Sequence, residues 1–203
     1  MDINQRLTEE LDVKRWQIDA AVQLIDEGNT IPFISRYRKE ATGELTDEQL
    51  RKLYERLVYL RNLEEKKEQV ISSIEEQGKL TEELKKQILA AETLVVVEDL
   101  YRPYRPKRKT RASIAKEKGL EGLAEYILAQ TAEIPVLEEA KKYVTGEDAE
   151  EGKQVKNAEE ALQGAKDIIA ESISDSAEYR AYIRSATMDE GVITSGTKDE
   201  KAE

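Results

Sequence analysis

The sequence predicts an all-α fold, a helical bundle that includes one long helix. Leu, Ile, Val, Ala, Glu and Lys dominate the composition, whereas Phe and Trp occur once each, which is typical of helices rather than of sheet cores. Nearly every apolar segment repeats at a spacing of three to four residues. Glycine, proline and capping residues stand at the ends of these segments, where helices begin and end.

Two amphipathic helices are expected at the start of the chain. Ile3, Leu7 and Leu11 recur at four-residue spacing and predict the first helix. A broader apolar face across residues 13–25 predicts the second, which Gly28 ends.

A short helix and then a long helix are expected next. Thr30 is placed to cap a short helix that includes Pro32 and Tyr37, because proline is tolerated in a first turn. Thr46 and Gln49 have the spacing of a capping box, and the leucine stripe that follows predicts a helix of roughly thirty residues. The stripe lasts fewer than four clean heptads, so we expect core or antiparallel packing rather than a dimeric coiled coil.

The charged run at residues 64–68 lies on the polar side of the long helix. Because helical ion pairs stabilise by only about 0.2–0.5 kcal/mol each, we interpret this run as a solvated face. Thr81 begins a further helix that we expect to continue past Thr93 through Val95–Val97. A strand is the alternative for those valines, but a lone strand would have no partner.

The second half of the chain predicts more, shorter helices. Pro103 and Pro106 are expected to end regular structure, and helices are predicted from Thr110 to Gly119, around Leu123, from Val136 to Val144, from Val155 through Ala170, and from Ser176 through Ile183. Gly164, inside one of these helices, costs about 1 kcal/mol against alanine, which favours a packing reason for it. Residues 191–196 look extended, and residues 198–203 lack an apolar anchor. We therefore predict a helical module at 1–190, with two lobes meeting near 79–111, and an extended or disordered linker at 191–203.

Composition excludes most enzyme classes. The chain has no Cys and no His, so thiol nucleophiles, disulfides, the usual zinc sites and Ser–His relays are absent. The glycines lack the pattern of a phosphate-binding loop. We expect no enzyme activity, no cofactor and no metal. Because neither a signal peptide nor an apolar run of membrane length is present, we expect a cytoplasmic protein without a membrane partner.

One segment contradicts the acidic average of the chain, whose formal net charge is −11. Residues 102–111, here called the basic tract, hold six cations and no acid. Arginine grips phosphate in a bidentate manner, proline lowers the cost of ordering the backbone, and Tyr101 and Tyr104 offer stacking faces. The alternative is a crossover whose arginines pair with acids of the same chain. The six cations are Arg102, Arg105, Lys107, Arg108, Lys109 and Arg111.

Arg36, Arg38 and Lys39 form a second basic group. The same two interpretations apply, and for this group we favour a structural role through ion pairs.

Three motifs resemble a known family. Residues 28–43 (GNTIPFISRYRKEATG), the pair EDLY at 98–101 and PKRKTR at 106–111, and residues 161–171 closely resemble the N-terminal region of the bacterial transcription accessory protein family Tex. The resemblance covers almost the whole chain in order. It implies helix-turn-helix-like parts, and a longer cytoplasmic protein whose RNase H-like, helix-hairpin-helix and S1 domains would follow residue 203. That family is related to a eukaryotic transcription elongation factor and histone chaperone.

These observations lead to a main functional hypothesis and two alternatives. The first is a non-catalytic helical module that supports nucleic-acid binding in transcription, with weak binding by this chain alone. The second is a scaffold that docks against the remaining domains of the full-length protein or against the transcription machinery. The third, a hydrolase that uses carboxylates and a metal, has no suitable site in the sequence. The first two differ in whether the cations of the basic tract face solvent or are neutralised by acids.

Overall fold

The computed structural model describes residues 2–106, 108–130, 134–145 and 152–196, and in these ranges it contains helices and no strand. The prediction of an all-α fold is confirmed. The chain divides into two compact units, 1–97 and 98–203. The helices are α1 Ile3–Leu11, α2 Arg15–Asp26, α3 Ile31–Tyr37, α4 Asp47–Glu76, α5 Glu82–Ala90, α6 Leu94–Tyr101, α7 Arg111–Glu117, α8 Glu121–Ala129, α9 Val136–Ala140, α10 Ala158–Asp175 and α11 Ala177–Glu190.

The first unit is built around α4, which is 30 residues long. Leucines at three- and four-residue spacing on α4 are at most 1% exposed and pack with apolar side chains of α1, α2 and α3. Each such leucine stabilises the fold by about 1.5–3 kcal/mol relative to an exposed one. The predicted capping box is present, since Thr46 Oγ1 accepts from the Gln49 amide at 3.2 Å and Gln49 Oε1 accepts from the Thr46 amide at 2.9 Å.

The predicted solvated face on α4 is wrong at Lys67. This side chain is 3% exposed, and its Nζ lies 2.9 Å from the carbonyl oxygen of Leu89 and 2.9 Å from a carboxylate oxygen of Glu64. The long lysine stem reaches past the leucine stripe to the last turn of α5, where the carbonyl groups have no partner within the helix. Lys67 therefore joins α4 to the end of α5.

The predicted continuous helix past Thr93 is also wrong. α5 ends at Ala90, Ala91 has extended backbone angles, and α6 begins at Leu94. Two amide groups at the start of α6 find hydrogen-bond acceptors outside the helix. The Val96 amide donates to the nearby Thr93 Oγ1 at 3.4 Å, and the Leu94 amide donates to the hydroxyl of Tyr59 on α4 at 3.2 Å. The interpretation of the valine run as helix rather than strand is confirmed.

The loop between α3 and α4 is anchored to α2. Gln17 Nε2 donates to the carbonyl oxygen of Gly43 at 2.9 Å, and the fully buried Thr42 donates its hydroxyl to the Lys39 carbonyl at 3.1 Å. The Trp16 ring packs directly on Gly43, whose φ is +61°. Thr30 occupies the N-cap position of α3, but its side chain makes no capping hydrogen bond.

Replacing Gly43 by alanine is expected to lower the free energy of unfolding by about 2 kcal/mol. A positive φ costs a non-glycine residue about 1–2 kcal/mol, and the new Cβ would also overlap the Trp16 ring. Gly78→Ala is the matched control, because Gly78 has a φ of +65° and open space around it. Urea denaturation followed by the fluorescence of Trp16, the one tryptophan of the chain, measures both variants. Equal losses in the two variants would contradict the contact with Trp16.

The second unit is organised around α10, which packs against α7, α8 and α9. The core contains small side chains of α10 together with larger ones, such as the fully buried Leu123 of α8 and Leu120, the residue before α8. A Cβ at Gly164 would overlap Leu120 Cδ1 and lie 3.2 Å from the Cβ of Ala115. The prediction that Gly164 is present for close helix packing is confirmed.

The prediction that Pro103 ends regular structure is wrong, because Arg102–Tyr104 form a short 3-10 helix. The constrained φ of proline is compatible with the first positions of a helix. Lys141–Tyr143 form another 3-10 helix after α9. Ser176 caps α11 as predicted, because its hydroxyl accepts from the Tyr179 amide at 3.4 Å.

α11 contains no buried side chain and is joined to α6 by charge. Asp99 is 5% exposed and accepts from Arg180 Nε and Arg184 Nη2, each at 2.6 Å. Burial raises the pKa of Asp99, but the hydrogen bonds from the two arginines outweigh it and hold this pKa below its usual range. Residues 191–196 form neither helix nor strand, and residues 197–203 of the predicted linker lie outside the described residues.

Candidate nucleic-acid interface

The basic tract lies between the end of α6 and the first turn of α7, and α10 anchors it at both ends. At one end Arg102 Nε donates to Asp175 Oδ1 at 2.9 Å, and Asp175 is 8% exposed. At the other end the hydroxyl of Thr110 donates to Glu171 Oε1 at 3.0 Å, while Thr110 also caps α7. Arg102 therefore stabilises the fold through an ion pair with an acid of the same chain. The alternative interpretation of the tract predicts such a pair for its arginines.

Beyond Arg102, the described cations of the tract face solvent. Arg105, Arg108 and Arg111 are exposed, and none of them forms an ion pair with a described carboxylate. Lys109 pairs with Glu117 at 3.3 Å, but both side chains are more than half exposed, so salt screens this pair. Lys107 lies outside the described residues. The centre of the tract thus keeps positive charge that the described acids do not neutralise.

Tyr101, which directly precedes the tract, and Tyr104, which lies within it, are partly exposed. Tyr101 ends α6, and Tyr104 ends the 3-10 helix that follows it. Both interact with other groups of the chain. They offer a smaller stacking surface than two fully solvated rings would.

The second basic group lies at the end of α3, in the first unit. Arg36, Arg38 and Lys39 are exposed, and within the described part of the chain none of them pairs with a carboxylate. The Arg38 guanidinium lies 5.8 Å from the centroid of the Phe33 ring. That ring in turn lies 5.3 Å from the ring of Tyr37. Phe33 and Tyr37 are not among the binding residues predicted from the sequence, although their i, i+4 spacing on a short helix indicates that the two rings lie on one face.

Arginines elsewhere in the described chain are paired. Each of them lies within 4.0 Å of an Asp or Glu oxygen, as expected for a chain with 43 acids against 32 bases. The unpaired arginines occur in two segments, the basic tract and the second basic group. The paired ones are Arg6, Arg15, Arg51, Arg56, Arg61, Arg102, Arg180 and Arg184.

The described residues contain no group of three or more acidic side chains arranged to hold a metal ion. No helix in the described ranges is both long enough and apolar enough to cross a bilayer.

Comparison with known proteins places the chain in a family. The family model for the Tex-like protein N-terminal domain matches residues 1–75, and the one for the Tex central region matches residues 132–203. The basic tract lies between these two matched ranges, and the second basic group lies inside the first.

Relatives extend the similarity across nearly the whole chain. The transcriptional accessory protein Tex of Neisseria gonorrhoeae is 46% identical over 95% of the chain, and protein tex of Bordetella pertussis is 47% identical over 94% of it. The S1 RNA-binding domain-containing protein 1 of Homo sapiens is 30% identical over 90% of the chain. The aligned parts amount to 24%, 23% and 18% of these three relatives, so the chain spans about a quarter or less of their length. With both matched regions in order and this identity throughout, the chain belongs to the Tex family of transcription accessory proteins.

Proposed function

We propose that this chain is a non-catalytic module of a cytoplasmic Tex-family protein and that it contacts nucleic acid through its basic tract. The unpaired arginines of the tract carry the proposal. Most arginines of this acidic chain have a carboxylate partner, whereas Arg105, Arg108 and Arg111 remain exposed without one among the described residues. Arginine binds phosphate oxygens through two parallel hydrogen bonds, and each neutralised phosphate releases condensed counterions.

The anchors at the two ends of the tract favour this function. Arg102 and Thr110 are held by acids of α10, so both of these positions are anchored before a ligand binds. A constrained segment loses less conformational entropy on binding than a free one. The net charge of −11 acts in the opposite direction, because it repels phosphate at long range. We therefore expect weak binding without sequence preference, measurable at low salt.

A salt titration tests the proposal. Were all six cations of the tract to contact phosphates of duplex DNA, log affinity would fall against log salt with a slope of roughly −5. Since Arg102 is already paired, we expect a shallower slope. Replacing Arg105, Arg108 and Arg111 by alanine should flatten the slope by about 2 to 3 and weaken binding to all sequences alike. Fluorescence anisotropy with labelled duplexes of two unrelated sequences measures both effects.

The matched control removes the same charge elsewhere. Arg51, Lys52 and Lys86 are exposed cations of α4 and α5, and their replacement by alanine changes the net charge by the same amount. This control should alter the slope little. An unchanged slope in the tract variant, equal effects in both variants, or no binding by the parent at low salt would each contradict the proposal.

A second candidate function is a scaffold that contacts other protein. α11 favours it, because this helix exposes Tyr182, Ile183 and Met188 at 73%, 59% and 82%. The partner we propose for it is the remaining part of a full-length family member, since the relatives are about four times longer than the aligned region. The portion of Bordetella pertussis protein tex outside the alignment, supplied as a separate chain, should bind the parent and not an Ile183→Asp variant. If the parent and the Ile183→Asp variant bound this portion equally well, α11 would be excluded as the contact surface.

A further inference from the structure

Two aromatic side chains of α3 are exposed beside the second basic group. Tyr37 is 68% exposed and Phe33 is 37% exposed, and their ring centroids lie 5.3 Å apart with an interplanar angle of 46°. Burying such rings stabilises a fold or an interface, and here the described chain leaves much of both in contact with solvent. The residue of α3 that is fully buried in the core is Ile34, whereas Phe33 is only partly covered.

One cation contacts this aromatic pair, and two more lie on neighbouring residues. Arg36 and Arg38 flank Tyr37 in sequence, Lys39 follows directly, and the Arg38 guanidinium lies 5.8 Å from the Phe33 ring centroid. A guanidinium at this distance from a ring face is a cation–π contact. Arg36 acts on a carboxylate at longer range, because Arg51 and then Arg36 lower the pKa of Asp47. None of the three cations forms an ion pair within 4.0 Å in the described chain, so each keeps hydrogen-bond donors for an anionic ligand.

The backbone that carries these residues is held in place. The Lys39 carbonyl accepts from the Thr42 hydroxyl at 3.1 Å and from the Glu44 amide at 2.8 Å. Gln17 of α2 anchors the same loop through the carbonyl oxygen of Gly43. A surface that is ordered before binding loses less entropy when it binds.

We propose that the exposed face of α3 is a second binding site, which stacks unpaired bases of a single-stranded nucleic acid on Tyr37 and Phe33 while Arg36, Arg38 and Lys39 contact its phosphates. Aromatic rings beside a basic groove are the arrangement by which single strands bind without sequence preference. Duplex bases are stacked on each other and cannot reach the rings. The inference deepens the proposed function by adding a preference for single strands, but it rests on different residues of a different unit.

Replacing Tyr37 by serine tests the site. At low salt we expect the affinity for a labelled oligouridine to fall about 5-fold or more, because stacking on one aromatic side chain is worth at least that factor. The affinity for a duplex of the same length, and for an oligomer of the same length that lacks bases, should change by less than 2-fold. Tyr37→Phe keeps the ring and should bind as the parent does.

Tyr182→Ser is the matched control, because Tyr182 is equally exposed, at 73%, and lies on α11 far along the chain. It should leave oligouridine binding unchanged, and far-ultraviolet circular dichroism should show intact helix content in every variant. An equal loss for oligouridine, duplex and base-free oligomer in Tyr37→Ser, or no loss at all, would overturn the inference. So would Tyr37-dependent binding of an acidic peptide together with no binding of oligouridine.

The same assay separates this inference from the proposed function. If the alanine variant at Arg105, Arg108 and Arg111 binds as the parent does while Tyr37→Ser loses single-strand binding, the basic tract fails as a contact and the α3 site stands. The reverse pattern removes the α3 site and keeps the tract.

Discussion

Replacing Arg180 and Arg184 together by methionine is expected to lower the free energy of unfolding by about 3 kcal/mol at pH 7. Removing the partners of a buried charge costs about 3–5 kcal/mol. Here the low end applies, because the two arginines are 35% and 42% exposed while the Asp99 side chain is 7% exposed. Methionine preserves much of the apolar stem, so the loss reports the charges rather than packing.

The pH dependence of this loss is a sharper test than its size. In the parent the arginines hold the pKa of Asp99 below its usual range, so their stabilising effect is present above the unfolded-state pKa of roughly 4 and is lost as pH falls further. In the double variant burial acts alone and raises the pKa of Asp99, so stability is lost as pH rises through that raised value. The difference in unfolding free energy between parent and variant should therefore widen as pH rises from 4 to 7, as measured by urea denaturation and circular dichroism.

Two controls accompany this prediction. Adding Asp99→Asn to the double variant removes the buried charge and should recover part of the lost stability at pH 7. Replacing the exposed Arg51 and Lys52 by methionine breaks two surface ion pairs of α4 and should cost no more than about 1 kcal/mol. A difference between parent and double variant that does not change with pH would contradict the role assigned to Asp99.

Lys67→Met is expected to lower the free energy of unfolding by about 2–3 kcal/mol. The substitution keeps a long apolar stem in the core but removes the part-buried hydrogen bond from Lys67 to the Leu89 carbonyl, and the loss of a hydrogen bond to a charged group costs about 1.5–3 kcal/mol. It also removes the cation 2.9 Å from Glu64. Denaturation followed by Trp16 fluorescence reports on the first unit, in which both residues lie.

Lys52→Met is the matched control for this variant. Lys52 lies on the same helix, its side chain is 62% exposed, and its ion pair with Glu48 spans one helical turn. Its loss should stay within about 0.5 kcal/mol. A Lys67→Met variant as stable as the parent would contradict the prediction. It would mean that an apolar side chain of similar volume replaces this lysine without cost, as happens at some buried ion pairs.

The sequence by itself determined where most helices begin and end. Capping and termination act within about four residues, so the box at Thr46 and Gln49 and the glycines at 28 and 78 could be identified without knowledge of the packing. The apolar periodicity likewise identified α4 at nearly its true length, because a stripe at helical spacing is a local property. Gly164 revealed close packing through its cost in a helix interior, although not which side chain it approaches.

The tertiary structure alone decided which charges are buried and which are free. Lys67 is a core residue because α5 ends beside it, and the break before α6 depends on the hydroxyl of Tyr59, 35 residues away. Arg102 is neutralised by Asp175, which lies 73 residues further along the chain, whereas Arg105 and Arg108 meet no described acid. Charge composition predicts that pairing is common in such a chain, but an ion pair forms only between groups that packing brings within about 4 Å. That distance depends on how helices far apart in sequence pack against each other, which local spacing does not encode.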